Sequence, residues 1–69
     1  MITITVNGEK RKVQKDATAS DLLYELGITP GRRVAVERNR EIVKRETWDS
    51  TIIHANDVFE IIEFVGGGF

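Results

Sequence analysis

The stretch with the clearest chemical character is Phe64-Val65-Gly66-Gly67-Gly68-Phe69: an apolar strand end, three consecutive glycines and one aromatic residue. Glycine costs the most backbone entropy to order and brings no side chain to pack, so a run of three points to a use other than core stability. The run is not a phosphate cradle. No lysine follows it and no helix opens after it, which excludes both the P-loop and the dinucleotide fingerprint. Other reactive chemistry is scarce. The chain has no cysteine, which removes thiolate nucleophiles, disulfides, iron–sulfur clusters and cysteine-ligated zinc together. Its single histidine, His54, falls in a turn-forming cluster with no carboxylates at a recognisable ligand spacing, so no metal site is expected. Glu60 and Glu63 form a carboxylate pair near the glycines, but their odd spacing on a strand sends them to opposite faces and argues against shared acid–base work. With no nucleophile–base pair and no metal cluster, the chain is expected not to be an enzyme.

The elements that must carry the tail fit a single small domain. At 69 residues folding buries only roughly 60% of the unfolded surface, so one modest core is the ceiling. Ten basic residues face eleven acidic ones, with no block of like charge long enough to form a tail, so nucleic acid is not an expected partner. The locally basic run Glu9-Lys10-Arg11-Lys12 alternates between faces on a strand and reads as protection of a sheet edge. No charged-then-apolar leader and no membrane-length apolar run occurs. The expectation is a cytoplasmic chain without membrane contact.

Hydrophobic periodicity sets out the elements. Ile2, Ile4 and Val6 alternate with Thr3 and Thr5, as a half-buried strand requires. Asn7-Gly8 supplies the two positive φ angles of a type I′ turn, which predicts an antiparallel return over Lys10 to Gln14 with Val13 in the core. Thr18 and Asp21 read as an N-cap with a capping-box partner. Ala19, Leu22, Leu23 and Leu26 then form one apolar stripe, ended by Gly27 at C′. Asp21 and Glu25 occupy the opposite side, so this short helix is expected to lie across a sheet. Arg33 to Arg38 is a further alternating strand, turned by Asn39-Arg40 into a short Ile42-Val43 segment. Tyr24 and Trp48 are expected to add apolar area to the core. His54 to Asp57 forms a turn before the last strand, Val58 to Val65. There Phe59, Ile61 and Val65 share one face, and Val58, Ile62 and Phe64 the other; one set belongs to the core and the pattern does not say which. The class is α+β, with one helix covering one face of a mixed sheet. The other face is expected to stay exposed and partly apolar, which on a small domain usually signals a partner.

The hairpin "TVNGEK", the segment "VAVERNREIV", the Trp48 region, "NDV" and "FEIIEFVGGG" together resemble the small sulfur carriers of thiamine biosynthesis, the ThiS type of ubiquitin-like protein. The resemblance runs from end to end. It implies a β-grasp domain over residues 1–65 with the first and last strands parallel neighbours, and a C-terminal glycine tail over residues 66–69. It further implies that an E1-like adenylyltransferase (ThiF-type) uses ATP and magnesium to adenylate a terminal glycine carboxylate. Sulfur from a donor such as a cysteine desulfurase then replaces the adenylate, and the resulting thiocarboxylate feeds a thiazole synthase (ThiG-type). No cofactor is expected to reside on the carrier itself.

On this reading Gly68 bears the adenylate and then the thiocarboxylate. Gly66 and Gly67 thread a narrow channel where only residues lacking Cβ allow close backbone approach. A carboxylate is a poor electrophile until its oxygen becomes a leaving group, and adenylation supplies one. Phe69 departs from the family's usual ending. An amide at Gly68 cannot be adenylated as a free acid can, so Phe69 is expected to be a removable cap that calls for a C-terminal peptidase. Carriers feeding methionine or cysteine formation resemble this arrangement and form the alternative within the class, with molybdopterin synthesis further off. A non-carrier β-grasp interaction module is the alternative outside it. Phe64 and Val65, where the last strand leaves the core, are the expected partner contacts, with Glu63 on their rim.

Overall fold

A computed structural model of the chain describes residues 1–29 and 31–64. The expectations placed on Pro30, on Val65 and on the tail over 66–69 lie outside the described residues. The elements in chain order are β1 (Ile2–Val6), β2 (Glu9–Val13), α1 (Ala19–Glu25), β3 (Val34–Arg38), β4 (Glu41–Ile42) and β5 (Val58–Glu63), with a 3₁₀ turn at Arg45–Thr47. They build a mixed five-stranded sheet in the order β2-β1-β5-β3-β4. β1 and β5 are parallel neighbours and β3 runs antiparallel to β5, as the β-grasp resemblance implies.

Local signals set most of these elements. Asn7 and Gly8 adopt φ of 49° and 84°, so the hairpin closes through two residues with Val6 opposite Glu9. β2 therefore begins and ends one residue before the expected Lys10–Gln14 strand, because the two-residue turn leaves Glu9 already paired. Its basic run lies on the sheet edge, where repelling side chains discourage pairing with another chain. Thr18 Oγ1 accepts from the Asp21 N–H at 3.1 Å, and Asp21 Oδ2 accepts from the Thr18 N–H at 2.9 Å. This reciprocal box satisfies two donors that a helix start leaves without partners. At the other end the Gly27 N–H donates to Tyr24 O and the Ile28 N–H to Leu23 O, both at 3.0 Å, a Schellman closure that Gly27 permits at φ 80°. The short helix is thus fixed at both ends.

The helix lays Ala19, Leu22 and Leu23 against one face of the sheet. The largest fully buried side chains are Phe59, Ile4, Leu22, Ile53, Val13 and Val36, drawn from strands, helix and the segment before β5. Burying a side chain such as Phe59 contributes about 1.5–3 kcal/mol, so few residues of this core are dispensable. Tyr24 departs from expectation: it is 83% exposed. Each helical residue advances about 100°, which turns Tyr24 away from Leu23 toward the polar side. Trp48 does pack against the core, donating its indole Nε1–H to Val43 O at 2.9 Å. The Arg45 guanidinium stands 4.5 Å from its ring centroid. The 3₁₀ turn that places Trp48 carries no sequence signal of its own, and the short strand expected at Ile42-Val43 is Glu41–Ile42.

Two asparagines tie the turns to β5. Asn7 donates through Nδ2 to Ile61 O at 3.2 Å and accepts at Oδ1 from the Ile61 N–H at 2.7 Å. Its side-chain amide stands in for a strand residue and prolongs the β1–β5 pairing. On the other flank Asn39 Oδ1 accepts from the Val58 N–H at 2.9 Å, while its Nδ2 donates to Asp57 Oδ1 at 3.1 Å. Asp57 is only 6% exposed. It also accepts from the His54 N–H at 2.9 Å and pairs with Arg38 Nε at 3.0 Å. A buried carboxylate held by this many donors is a structural joint, and it fixes where β5 begins.

Candidate functional site

β5 occupies the centre of the sheet. The Phe64 N–H donates to Arg33 O at 2.8 Å, which carries the β3–β5 pairing one residue past the strand. The two faces of β5 differ in kind. Phe59 and Ile61 point under the helix and join the core. Ile62 and Phe64, 53% and 56% exposed, point with Val58 to the open face. The choice between faces that periodicity leaves undecided is made by α1, which covers one side only.

The open face is wider than β5 alone. Ala35 stands directly across from Ile62, and Glu37 across from both Glu60 and Ile42. The contribution of β3 and β4 is not among the sequence expectations, although a signal exists: Ala35 and Glu37 have the opposite parity to buried Val36. Glu63, grouped with Phe64 and Val65 from sequence, lies instead on the helix side with Phe59 and Ile61. There it is partly buried and forms an ion pair with Arg32. Opposite faces for Glu60 and Glu63 follow the expected alternation. Gly66, Gly67, Gly68, Phe69 and Val65 lie outside the described residues.

A groove of about 500 Å³ runs along the other side of the molecule, between α1 and the Trp48 turn; Leu23, Ile28, Val34 and Trp48 form its apolar wall. Its polar groups are engaged with one another: Ser20 donates to Asp49, and Arg45 Nη2 donates to Arg32 O at 3.1 Å. Among the described residues no group of three or more histidines and carboxylates is placed to hold a metal ion. His54 is exposed in its turn. No helix of the described residues is long and apolar enough to cross a membrane.

The arrangement is therefore a rigid central strand, open on one apolar face, that leads directly into a glycine run. The model of the ThiS family matches residues 4–68. The chain belongs to the ThiS family. The sulfur carrier protein ThiS of Bacillus subtilis is 41% identical over 66 residues, covering 94% of this chain and 98% of that protein. The crystal structure of the thiamine biosynthesis protein ThiS from Geobacter metallireducens superposes with a TM-score of 0.81 at 33% identity, covering 97% of this chain and all of that one. The likeness at that score carries the ubiquitin-like β-grasp assignment. A thiazole synthase of Paramagnetospirillum magneticum is 42% identical over 65 residues. The chain spans about a fifth of the length of that synthase and of a second one, from Magnetococcus marinus. In those proteins a ThiS-like segment is part of a chain named for thiazole synthesis.

Proposed function

We propose that this chain is a sulfur carrier of thiamine biosynthesis, loaded on the carboxylate of Gly68 and acting as a protein co-substrate for partner enzymes. The observation that carries the reading is the family match through residue 68, joined to a fold whose central strand points into the glycine run. The chain contributes presentation. A thiol is unnecessary because the reacting group is main-chain carbon, and Gly66 and Gly67 let the backbone enter a channel that side chains would block.

The loading chemistry belongs to the partners. A Gly68 carboxylate oxygen attacks the α-phosphorus of ATP on a ThiF-type E1-like enzyme, with magnesium neutralising the phosphates and pyrophosphate leaving. The terminal persulfide sulfur of a cysteine desulfurase relay then attacks the acyl carbon and AMP leaves, giving an acyl disulfide; a second thiol of the partner attacks its S–S bond, releasing the Gly68 thiocarboxylate and forming a disulfide on the partner that a cellular thiol reduces. Splitting one poor substitution into two good ones is the advantage of the covalent intermediate. A ThiG-type thiazole synthase is the acceptor, which the ThiS-like segment within two thiazole synthases supports.

Phe69 lies one residue beyond the family match; on this reading it is a cap removed by a peptidase, because an amide at Gly68 cannot be adenylated as a free acid can. The same feature favours a second reading, a carrier of identical chemistry serving methionine or cysteine formation. In either case we place the docking surface on Phe64 and the rest of the open face, with Val65 next to it in sequence; Glu63 is not on that face, since it lies on the helix side and pairs with Arg32. The test is the intact mass of the protein isolated from its native cell. A species ending at Gly68 with one carboxyl oxygen replaced by sulfur is the expected result. Sulfur found on a chain that retains Phe69 removes the cap. Full function after deletion of Gly67 and Gly68 removes the carrier reading itself.

A further inference from the structure

The open face is divided by charge. Lys10 and Lys12 stand directly across from Thr5 and Thr3, and Thr5 stands across from Val58, so both lysines of the edge strand β2 share a face with Val58, Glu60 and Ile62. Glu37 of β3 is the cross-strand partner of Glu60 on that same face. A basic pair therefore occupies one side and an acidic pair the other, with the uncharged Thr3 and Thr5 between them. Val58, Ile62 and Ile42 add exposed apolar area around the acidic pair. Among the described residues none of these four charges has an ion-pair partner. The ion pairs that do form, Arg32–Glu63 and Arg38–Asp57, lie on the helix side.

We propose that this face binds a second copy of the chain, in a weak face-to-face dimer where Lys10 and Lys12 of each protomer meet Glu37 and Glu60 of the other. The inference goes beyond the sulfur-carrier reading and does not depend on it. Two patches on one face are exchanged by a twofold axis that lies between the facing sheets, midway from one patch to the other. One closed symmetric contact therefore satisfies both pairs of charges twice. A formal net charge of -1 sets little long-range repulsion between copies. The sheet edges are poor alternatives, because β2 is basic and β4 has only two residues. Area sets the strength. Five strands about 4.8 Å apart, most of them five or six residues long, present on the order of 400 Å² per copy. That is about half of what each partner contributes to a standard interface. The dimer is accordingly transient, and salt weakens it because its charges are exposed. A protomer held in it does not offer the same face to another protein.

The experiment is sedimentation equilibrium of the full chain over a dilution series at low and high salt, with circular dichroism to establish that each variant is folded. Four chains are compared: wild type, Glu37→Lys with Glu60→Lys, Lys10→Glu with Lys12→Glu, and all four reversals together. Wild type is expected to dimerise with a dissociation constant on the order of 100 µM at low salt, about tenfold weaker at high salt. Either double reversal sets like charges against each other and is expected to weaken association about a hundredfold. The fourfold reversal leaves the net charge unchanged and exchanges the two patches, so association is expected to return to within about threefold of wild type. Wild type that keeps the 7.8 kDa monomer mass throughout the low-salt series overturns the proposal and leaves the face to a different protein. Association that all four chains share, or that high salt leaves unchanged, belongs to another surface or to apolar contact alone and overturns it as well. A folded fourfold variant that stays monomeric overturns the pairing of lysines with glutamates.

Discussion

The two faces of β5 carry almost the same side chains and serve different ends. Phe59 and Ile61 disappear beneath α1, whereas Val58 and Ile62, one residue away along the same strand, remain open. Composition does not separate them; coverage does. One helix of seven residues is enough to turn half of an apolar strand into core and to leave the other half open. Stability is therefore concentrated on one side of the sheet, and the docking proposed above falls to the other.

The sharpest way to break that division is Phe59→Ala, which removes a side chain with no exposure at all and is expected to cost about 3–5 kcal/mol. In a domain this small the loss approaches the entire stability, and circular dichroism should show a largely unfolded chain at room temperature. Asp57→Ala is next. It leaves Arg38, Asn39 and the His54 N–H without their acceptor, and an expected loss of about 2–4 kcal/mol is measurable as a lower denaturant midpoint with an unchanged slope.

Thr18→Ala tests the helix that makes the two faces unequal. Removing the N-cap oxygen should destabilise by about 1 kcal/mol, and hydrogen exchange should quicken first at the start of α1. The smallest effect on folding is expected from Ile62→Thr on the open face, within about 0.5 kcal/mol, because a β-branched residue keeps its place on a half-exposed strand. That same substitution should weaken binding to the adenylating partner severalfold. Equal stability losses for Phe59→Ala and Ile62→Thr would erase the comparison.

Much of this division is written locally in the chain. Asn7-Gly8, Thr18 with Asp21, and Gly27 each act within four residues, so their chemistry predicts the hairpin and both helix ends without knowledge of the rest. The central strand is a different case. An apolar residue at nearly every position of Val58–Val65 satisfies either orientation, and only the docking of α1 chooses between them. Asp57 reads as one turn residue among several, because the groups that make it a joint, Arg38 and Asn39, come from across the sheet. Tyr24 was expected in the core on the strength of its size, but a helix of this length buries only one narrow stripe. Glu63 was placed beside Phe64 by adjacency, while strand alternation and Arg32 put it on the other face. The chemistry proposed for the glycine run rests on sequence alone, because it needs no tertiary partner, only the absence of side chains, and those residues lie outside the described structure.

The central position of β5 has a mechanical meaning. It is hydrogen-bonded on both flanks and tied by the side chains of Asn7 and Asn39. A pull along β5 from its C-terminal end loads the bonds of both ladders in shear, so that they share the force, rather than opening one after another from an edge. On the proposed carrier reading, an enzyme that draws the glycines inward does so without peeling the domain apart. A tail mounted on β2 or β4 would unzip its own anchor under the same load.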